Sequence, residues 1–204
     1  MNKPFSSSHV KWYVIISIIS LTFWISLFSS LNRVVDTEKI EIFITAETFD
    51  RQIESLLLSD LEINGVKKVN VTLVNKNDSD YQTILSTKGV NTCDLLILPK
   101  SFIENFNIKD QFVSFTEALL NNYEIDIAQY DVYKEDDSIY GIEIFSQSTT
   151  NNISRFITFG NALDDKYYLF MNKETPNSGE FSAAYNKYTD NAYYAMKSFL
   201  SVIK

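Results

Sequence analysis

The chain has 204 residues, with 18 basic and 26 acidic side chains, a formal net charge of −8, one histidine and one cysteine. A single cysteine, Cys93, excludes an intramolecular disulfide and a cysteine-based metal site. A single histidine, His9, lies before the longest apolar run, which leaves no Ser-His-Asp arrangement for the polar remainder of the chain. The acidic balance argues against nucleic acid, because phosphate binding requires a basic face.

Trp12–Leu31, WYVIISIISLTFWISLFSSL, contains no ionisable side chain except the phenol of Tyr13. Twenty residues at about 1.5 Å of rise span roughly 30 Å, the hydrocarbon thickness of a bilayer. Lys3 and Lys11 precede this run and every acidic residue follows it. That asymmetry predicts a single-pass signal-anchor in the cell membrane, with a cytoplasmic N-terminus and an extracellular C-terminal domain. Ser26–Ser30 lacks an A-x-A-like spacing of small residues, so an uncleaved anchor is expected over a cleaved signal peptide. The remainder, 32–204, carries sixteen basic against twenty-six acidic residues and is long enough for one domain. The expected organisation is a tail at 1–11, an anchor at 12–31, a spacer at 32–38 and a domain at 39–204. Seven spacer residues at up to roughly 3.5 Å each would keep that domain within about 25 Å of the bilayer.

Lys39–Ala46 alternates Ile40, Ile42 and Ile44 with other residues, a strand signature. Thr45–Asp50 supplies capping and acidic residues, and Phe49, Ile53, Leu56, Leu57 and Leu61 follow at helical spacing up to Asn64-Gly65. Lys68–Val74 reads as a second strand. A shorter helix carries Tyr81, Ile84 and Leu85 and ends at Gly89. Asp94–Leu98 is a continuous apolar run stopped by Pro99, which suits a strand covered on both faces. Ser101-Phe-Ile-Glu104 has the spacing of a capping box on a third helix. Strand and helix thus alternate three times, which predicts an α/β domain of three layers with a mainly parallel, partly mixed sheet.

After Asp110 the rhythm changes. Phe112–Leu120 reads as a loop and short helix, Tyr123–Tyr133 as extended, Glu135–Ser138 as a polar turn and Ile139–Phe145 as a strand. Gln147–Ser154 is a polar connection. Phe156–Phe159 and Tyr167–Met171 read as extended runs separated by a turn at Asn161–Asp165, and Pro176–Gly179 as a loop. The last helix is amphipathic, with Ala192, Met196, Phe199, Leu200 and Ile203 on one face.

In this order the domain resembles one lobe of the extracellular solute-binding proteins of bacterial ABC importers, which have the periplasmic-binding-protein type II fold. KIEIFITA with its long helix, KVNVTLVN and DLLIL ending near proline match the opening of those proteins. Asp137–Ile144, DSIYGIEI, resembles their D-G-K-x-Y-G-I-P segment, and YYLFMN at Tyr167–Asn172 with the last helix resembles the segment returning from the second lobe. Glu143 stands where the family prefers proline and Ser138 where it prefers glycine. Only about twenty residues, Ser146–Asp165, occupy the interval of the second lobe. The resemblance therefore implies a one-lobed binding module. Its implied ligand is a small polar solute such as a sugar, and its implied partner is a membrane permease or sensor.

In open α/β sheets ligands sit at the carboxyl ends of the strands. That rule singles out Thr45, Glu47 and Thr48 after the first strand and Lys100 and Ser101 after the third. It also singles out Gln147 in the Gln147–Asn152 connection. Each has a plainer reading: Glu47 as a charge at a helix N-terminus, Ser101 as a cap. Tyr130, Tyr133 and Tyr140 offer rings for stacking on a sugar face, or are half-buried strand positions. Asp136-Asp137 and Asp164-Asp165 lack the spacing of a calcium loop. No catalytic residues, metal ligands or cofactors follow from the sequence, and the chain is not expected to be an enzyme. The rival expectation is an interaction or structural membrane protein that uses the exposed inter-lobe face to contact a partner.

Overall fold

The computed structural model describes residues 7–31, 33–104, 106–148, 151–160, 165–179 and 189–204, without the side chains of residues 7–9 and 31. Residues 1–6 of the expected tail, Asn161–Asp164 of the expected turn, and Thr149 and Thr150 of the polar connection lie outside them. The chain divides into two compact units, Met1–Val35 and Asp36–Lys204.

The first unit is the helix α1, Ser7–Leu31. Within it, Val10–Ser30 is long and apolar enough to cross a membrane. Trp12, Ile19, Phe23 and Trp24 are each exposed by 60% or more. That exposure suits a helix whose solvent is lipid, and it is consistent with single-pass anchoring.

The second unit begins with a turn of 3-10 helix at Asp36–Glu38, residues that the sequence assigns to the spacer. Then come β1 (Lys39–Thr45), β2 (Thr48–Phe49), α2 (Gln52–Leu61) and β3 (Lys68–Val74). Phe49 belongs to a strand rather than to the helix. The helix starts where Asp50 Oδ1 accepts the N–H of Gln52 at 2.9 Å. It closes through a 3-10 turn onto Gly65, whose φ of +81° needs a residue without Cβ. Next are α3 (Tyr81–Ile84), a π turn at Leu85–Gly89, α4 (Val90–Thr92), β4 (Leu95–Pro99), α5 (Lys100–Ile103), α6 (Ile108–Gln111) and α7 (Glu117–Asn122). The chain ends with β5 (Val132–Glu135), β6 (Ser138–Phe145), β7 (Ile157–Thr158), β8 (Tyr167–Met171) and α8 (Asn191–Val202).

Six strands form one sheet in the order β3-β1-β4-β8-β6-β5, and β2 pairs with β7 in a separate ribbon. β1 runs parallel to β3 and β4, while β8 is antiparallel to β4 and β6, and β5 is antiparallel to β6. Four strands therefore point one way and two the other, a mixed and mostly parallel α/β sheet. The β5–β6 hairpin turns at Asp136 and Asp137, both at positive φ, the geometry that matches strand twist.

Strand residues alternate between two cores. Ile40, Ile42 and Ile44, with Leu95, Ile97 and Leu169, face Ile53, Leu57 and Leu61 of α2 and Met196 and Phe199 of α8. Phe43, Leu96, Leu98 and Phe170 face Tyr81, Leu85, Ile103 and Ile108 on the other side. With both faces covered, DLLIL reads as a continuous apolar run because every position is inside.

The sequence expects Tyr123–Tyr133 to be extended, but only Val132 and Tyr133 belong to a strand. Tyr123 and Glu124 form a turn, and Ile127–Gln129 is 3-10 helix capped by the side chain of Asp126. Ile125 and Ile127 are buried by the turn rather than by a pleat, so alternation here arises without a ladder.

Candidate functional site

The carboxyl ends of β1, β3, β4 and β6 meet at one edge of the sheet, where the antiparallel β8 and β5 begin. α8 delivers its C-terminus to the same edge, since the N–H of Asn152 donates to the carbonyl of Ile203 at 2.7 Å. A strap crosses this edge. The N–H of Glu47 donates to Thr158 O at 2.8 Å, Asp50 N–H to Phe156 O at 2.7 Å, and β2 pairs with β7 between them. Beneath the strap, Phe159 lies 4.7 Å from Phe145 and 4.2 Å from Tyr167 between ring centroids. The strap divides the edge into two hollows.

The smaller hollow, about 180 Å³, lies over β1 and β3 and is lined by Thr45, Glu47, Lys76, Asn77, Phe159 and Tyr167 among others. Thr45 is fully buried, and its hydroxyl shares a 2.8 Å hydrogen bond with Tyr81. Burial pushes the Tyr81 phenol up to about 12, against the opposing pull of that bond. Near it, Asp165 accepts the hydroxyl of Ser101 at 2.6 Å and its N–H at 3.2 Å, with Lys76 Nζ 3.7 Å away. Burial also raises the Tyr167 phenol, helped by the charge of Asp165.

The larger hollow, a cleft of about 450 Å³, lies over β5, β6 and the end of α8, and its lining includes Tyr130, Asp131, Glu143, Ser148, Asn151 and Lys204. Its size falls within the range of small-molecule sites. Glu143 is only 5% exposed and accepts Lys166 Nζ at 2.6 Å; the same ammonium lies 3.6 Å from Asp131. The hydrogen bond to Glu143 holds the Lys166 ammonium above the usual lysine range. Asn151 fixes the mouth by donating to Ile144 O at 2.7 Å and accepting the N–H of Ile153 at 3.2 Å. Burial, with Asp126 nearby, raises the Tyr130 phenol.

The residues singled out by sequence do not form one site. Thr45 and Glu47 line the small hollow, where Thr45 is engaged with Tyr81, and Ser101 is tied to it only through Asp165, which lies 3.7 Å from Lys76. Ser101 lies in the first turn of α5, and its side chain serves Asp165 rather than capping the helix. Thr48 pairs with Thr158 in the strap, while Lys100 is exposed just past β4, its N–H held by Lys166 O at 2.8 Å. Gln147 is exposed one residue before Ser148 at the large cleft. Tyr140 belongs to the core with Phe112 and Tyr168, three residues into β6 and away from the carboxyl edge.

Tyr130 is half-buried and lines the larger hollow. Asp131, Lys166 and the role of Glu143 escape sequence reasoning, because three separated segments must pair before these charges meet. A charged residue inside the apolar strand IYGIEIF was the available signal. The arrangement offers a polar cleft with one aromatic wall and carboxylates already paired to an ammonium. No group of three or more His, Cys, Asp or Glu suited to a metal occurs among the described residues. No protein-family model matches this chain, and no curated protein sequence matches it.

Proposed function

We propose that this protein is a membrane-anchored extracytoplasmic binding module resembling one lobe of a solute-binding protein, which takes a small polar ligand and serves a transporter or sensor in the same membrane. The observation that carries this reading is the concave, polar cleft at the carboxyl edge, built from Tyr130, Asp131, Glu143, Ser148 and Asn151. Its position follows the rule for ligands in open α/β sheets. The insertion of β8 between β4 and β6 also supports the resemblance, since Tyr167–Met171 is the segment likened to the returning strand.

A second reading draws on a different observation. The β2–β7 strap and the Phe145–Phe159–Tyr167 cluster close the end of β1, and the polar groups beside them pair with each other. An edge closed in this way suits a protein partner laid across it, the interaction role without a small ligand.

Thermal-shift measurements on residues 36–204 against sugars, peptides and metal salts separate the two. The binding reading expects a saturable rise in melting temperature with one ligand class, lost in Tyr130→Ala. A uniform absence of shifts would overturn it in favour of the second reading.

A further inference from the structure

The smaller hollow, over the carboxyl ends of β1 and β3, has more hydrogen-bonding capacity than its own pairs satisfy. The hydroxyls of Thr45 and Tyr81 lie 2.8 Å apart, with the two residues 0% and 2% exposed. Either can donate to the other, and the count is the same both ways: two protons and one hydrogen bond. Neither hydroxyl has a further hydrogen bond among the described residues. The Tyr81 phenol, pushed up to about 12 by burial, keeps its proton at neutral pH. One O–H is therefore left over, shut away from bulk water, in a pair whose Thr45 lines the hollow. A buried donor without an acceptor is costly, so this wall calls for an oxygen.

Two charges stand open in the same walls. Lys76 Nζ is 3.7 Å from Asp165 Oδ2, an ion pair too long for a hydrogen bond, so its protons remain available. Asp165 itself is engaged, accepting the hydroxyl of Ser101 at 2.6 Å and its N–H at 3.2 Å. Glu47 is exposed, and its carboxylate accepts no hydrogen bond among the described residues. Asn75 and Asn77 complete the polar wall, and the rings of Phe159 and Tyr167 form the apolar one.

We propose that the smaller hollow is a separate binding site for a free α-amino acid with a small side chain. The ligand's carboxylate takes the spare O–H of the Thr45–Tyr81 pair and the ammonium of Lys76, and its α-ammonium takes Glu47. Charge selects this class. Lys76 against Glu47 and Asp165 leaves one negative charge in excess, so a simple organic acid meets repulsion. A simple amine leaves the buried O–H without an acceptor. A neutral sugar accepts from that O–H but leaves Lys76 and Glu47 without counter-charges. A zwitterion answers all three groups. The volume of about 180 Å³ equals that of about six water molecules at about 30 Å³ each, which matches the six heavy atoms of alanine. The site does not rest on the larger cleft, whose ligand is tested through Tyr130, so the two succeed or fail separately.

The test is isothermal titration calorimetry of the full chain in detergent micelles at neutral pH, with L-alanine as the probe. Saturable binding is expected. N-acetyl-alanine, which lacks the ammonium, and alanine methyl ester, which lacks the carboxylate, should each bind at least about tenfold more weakly, the effect of one charge-assisted hydrogen bond. Glu47→Gln should weaken alanine and narrow its advantage over N-acetyl-alanine. Lys76→Met should weaken alanine and narrow its advantage over the methyl ester. A merely structural role for these two side chains would not separate the two analogues in this way. Absence of saturable heat with alanine would mean that the hollow holds water only, and would overturn the site. Glucose binding as tightly as alanine, and lost in the same variants, would overturn the ligand class. Alanine binding that is lost in Tyr130→Ala but unchanged in Glu47→Gln and Lys76→Met would place the ligand in the larger cleft and equally overturn the proposal.

Discussion

Lys166 holds two carboxylates at once, the buried Glu143 and the exposed Asp131. Removing the ammonium leaves Glu143 nearly inaccessible and without its counter-charge, the situation in which breaking a pair costs more than the pair contributes. Lys166→Met should therefore lower stability by about 1–3 kcal/mol. The double variant with Glu143→Gln should recover part of that loss, because the stranded charge is gone. A double-mutant cycle from denaturant unfolding measures the coupling.

Asp94 gives a second prediction, with its sign fixed by linkage. Burial raises its folded value to about 6, above the unfolded value near 3.9. Its contribution is complete below the unfolded value and is lost as pH rises through the folded one. Two units correspond to about 3 kcal/mol. Wild type should lose stability relative to Asp94→Asn between about pH 4 and about pH 6.5, as melting curves of the two proteins would show. A stability difference that stays constant over that range contradicts the assignment. Neither residue's role was visible in sequence. Asp94 read only as the start of an apolar run, and its partner Asn177, which donates to it at 2.8 Å, comes from the Pro176–Gly179 region, which read as a plain loop.

Among the elements, the strap that crosses the sheet edge divides it into the two hollows. It depends on Gly160, whose φ is +72° and whose added Cβ would stand 2.3 Å from Oε1 of Glu47 and 2.9 Å from its Cγ. Gly160→Ala should cost about 1–2 kcal/mol from the left-handed backbone alone and displace Glu47 from the smaller hollow. A drop in melting temperature together with faster amide exchange at residues 47–50 and 156–160 would show it. Unaltered exchange there would mean the strap is held by something else.

β1, β3, β4, α2 and α8 were legible because each carries its own pattern, a period in Ile40, Ile42 and Ile44 on β1 and in Ala192, Met196 and Phe199 on α8, and an unbroken apolar run on β4. The strap was not. β2 and β7 are two residues each, too short for a period, and they exist only because distant segments pair. Tyr123–Tyr133 failed for the opposite reason. Its apolar alternation was real, but Asp126 capped a 3-10 turn with its own side chain, a local hydrogen bond that competes with the ladder.

For the molecule as a whole, the order of elements gave the α/β class and the parallel core, since three strand–helix alternations leave few ways to bury the apolar faces. The antiparallel insertion of β8 was beyond reach, because strand order depends on which edge is free when the last strand arrives. The location of the cleft was half legible. The strand-end rule pointed to the edge where both hollows lie, naming the β1 end, which the strap crosses, the end of β4, and the Gln147–Asn152 connection beside the larger hollow.

The proposed binding role requires that this domain face outward from a membrane-anchored helix. Ile63 is 92% exposed on the domain, whereas the one native cysteine, Cys93, is 1% exposed with its thiol pushed up to about 12. Ile63→Cys therefore adds a single reactive thiol against a silent background. Treating intact cells with a membrane-impermeant maleimide should label Ile63→Cys and leave wild type unlabelled, with the labelled chain recovered in the membrane fraction. Labelling of Ile63→Cys only after permeabilisation, or recovery of the labelled chain from the soluble fraction, would contradict the account.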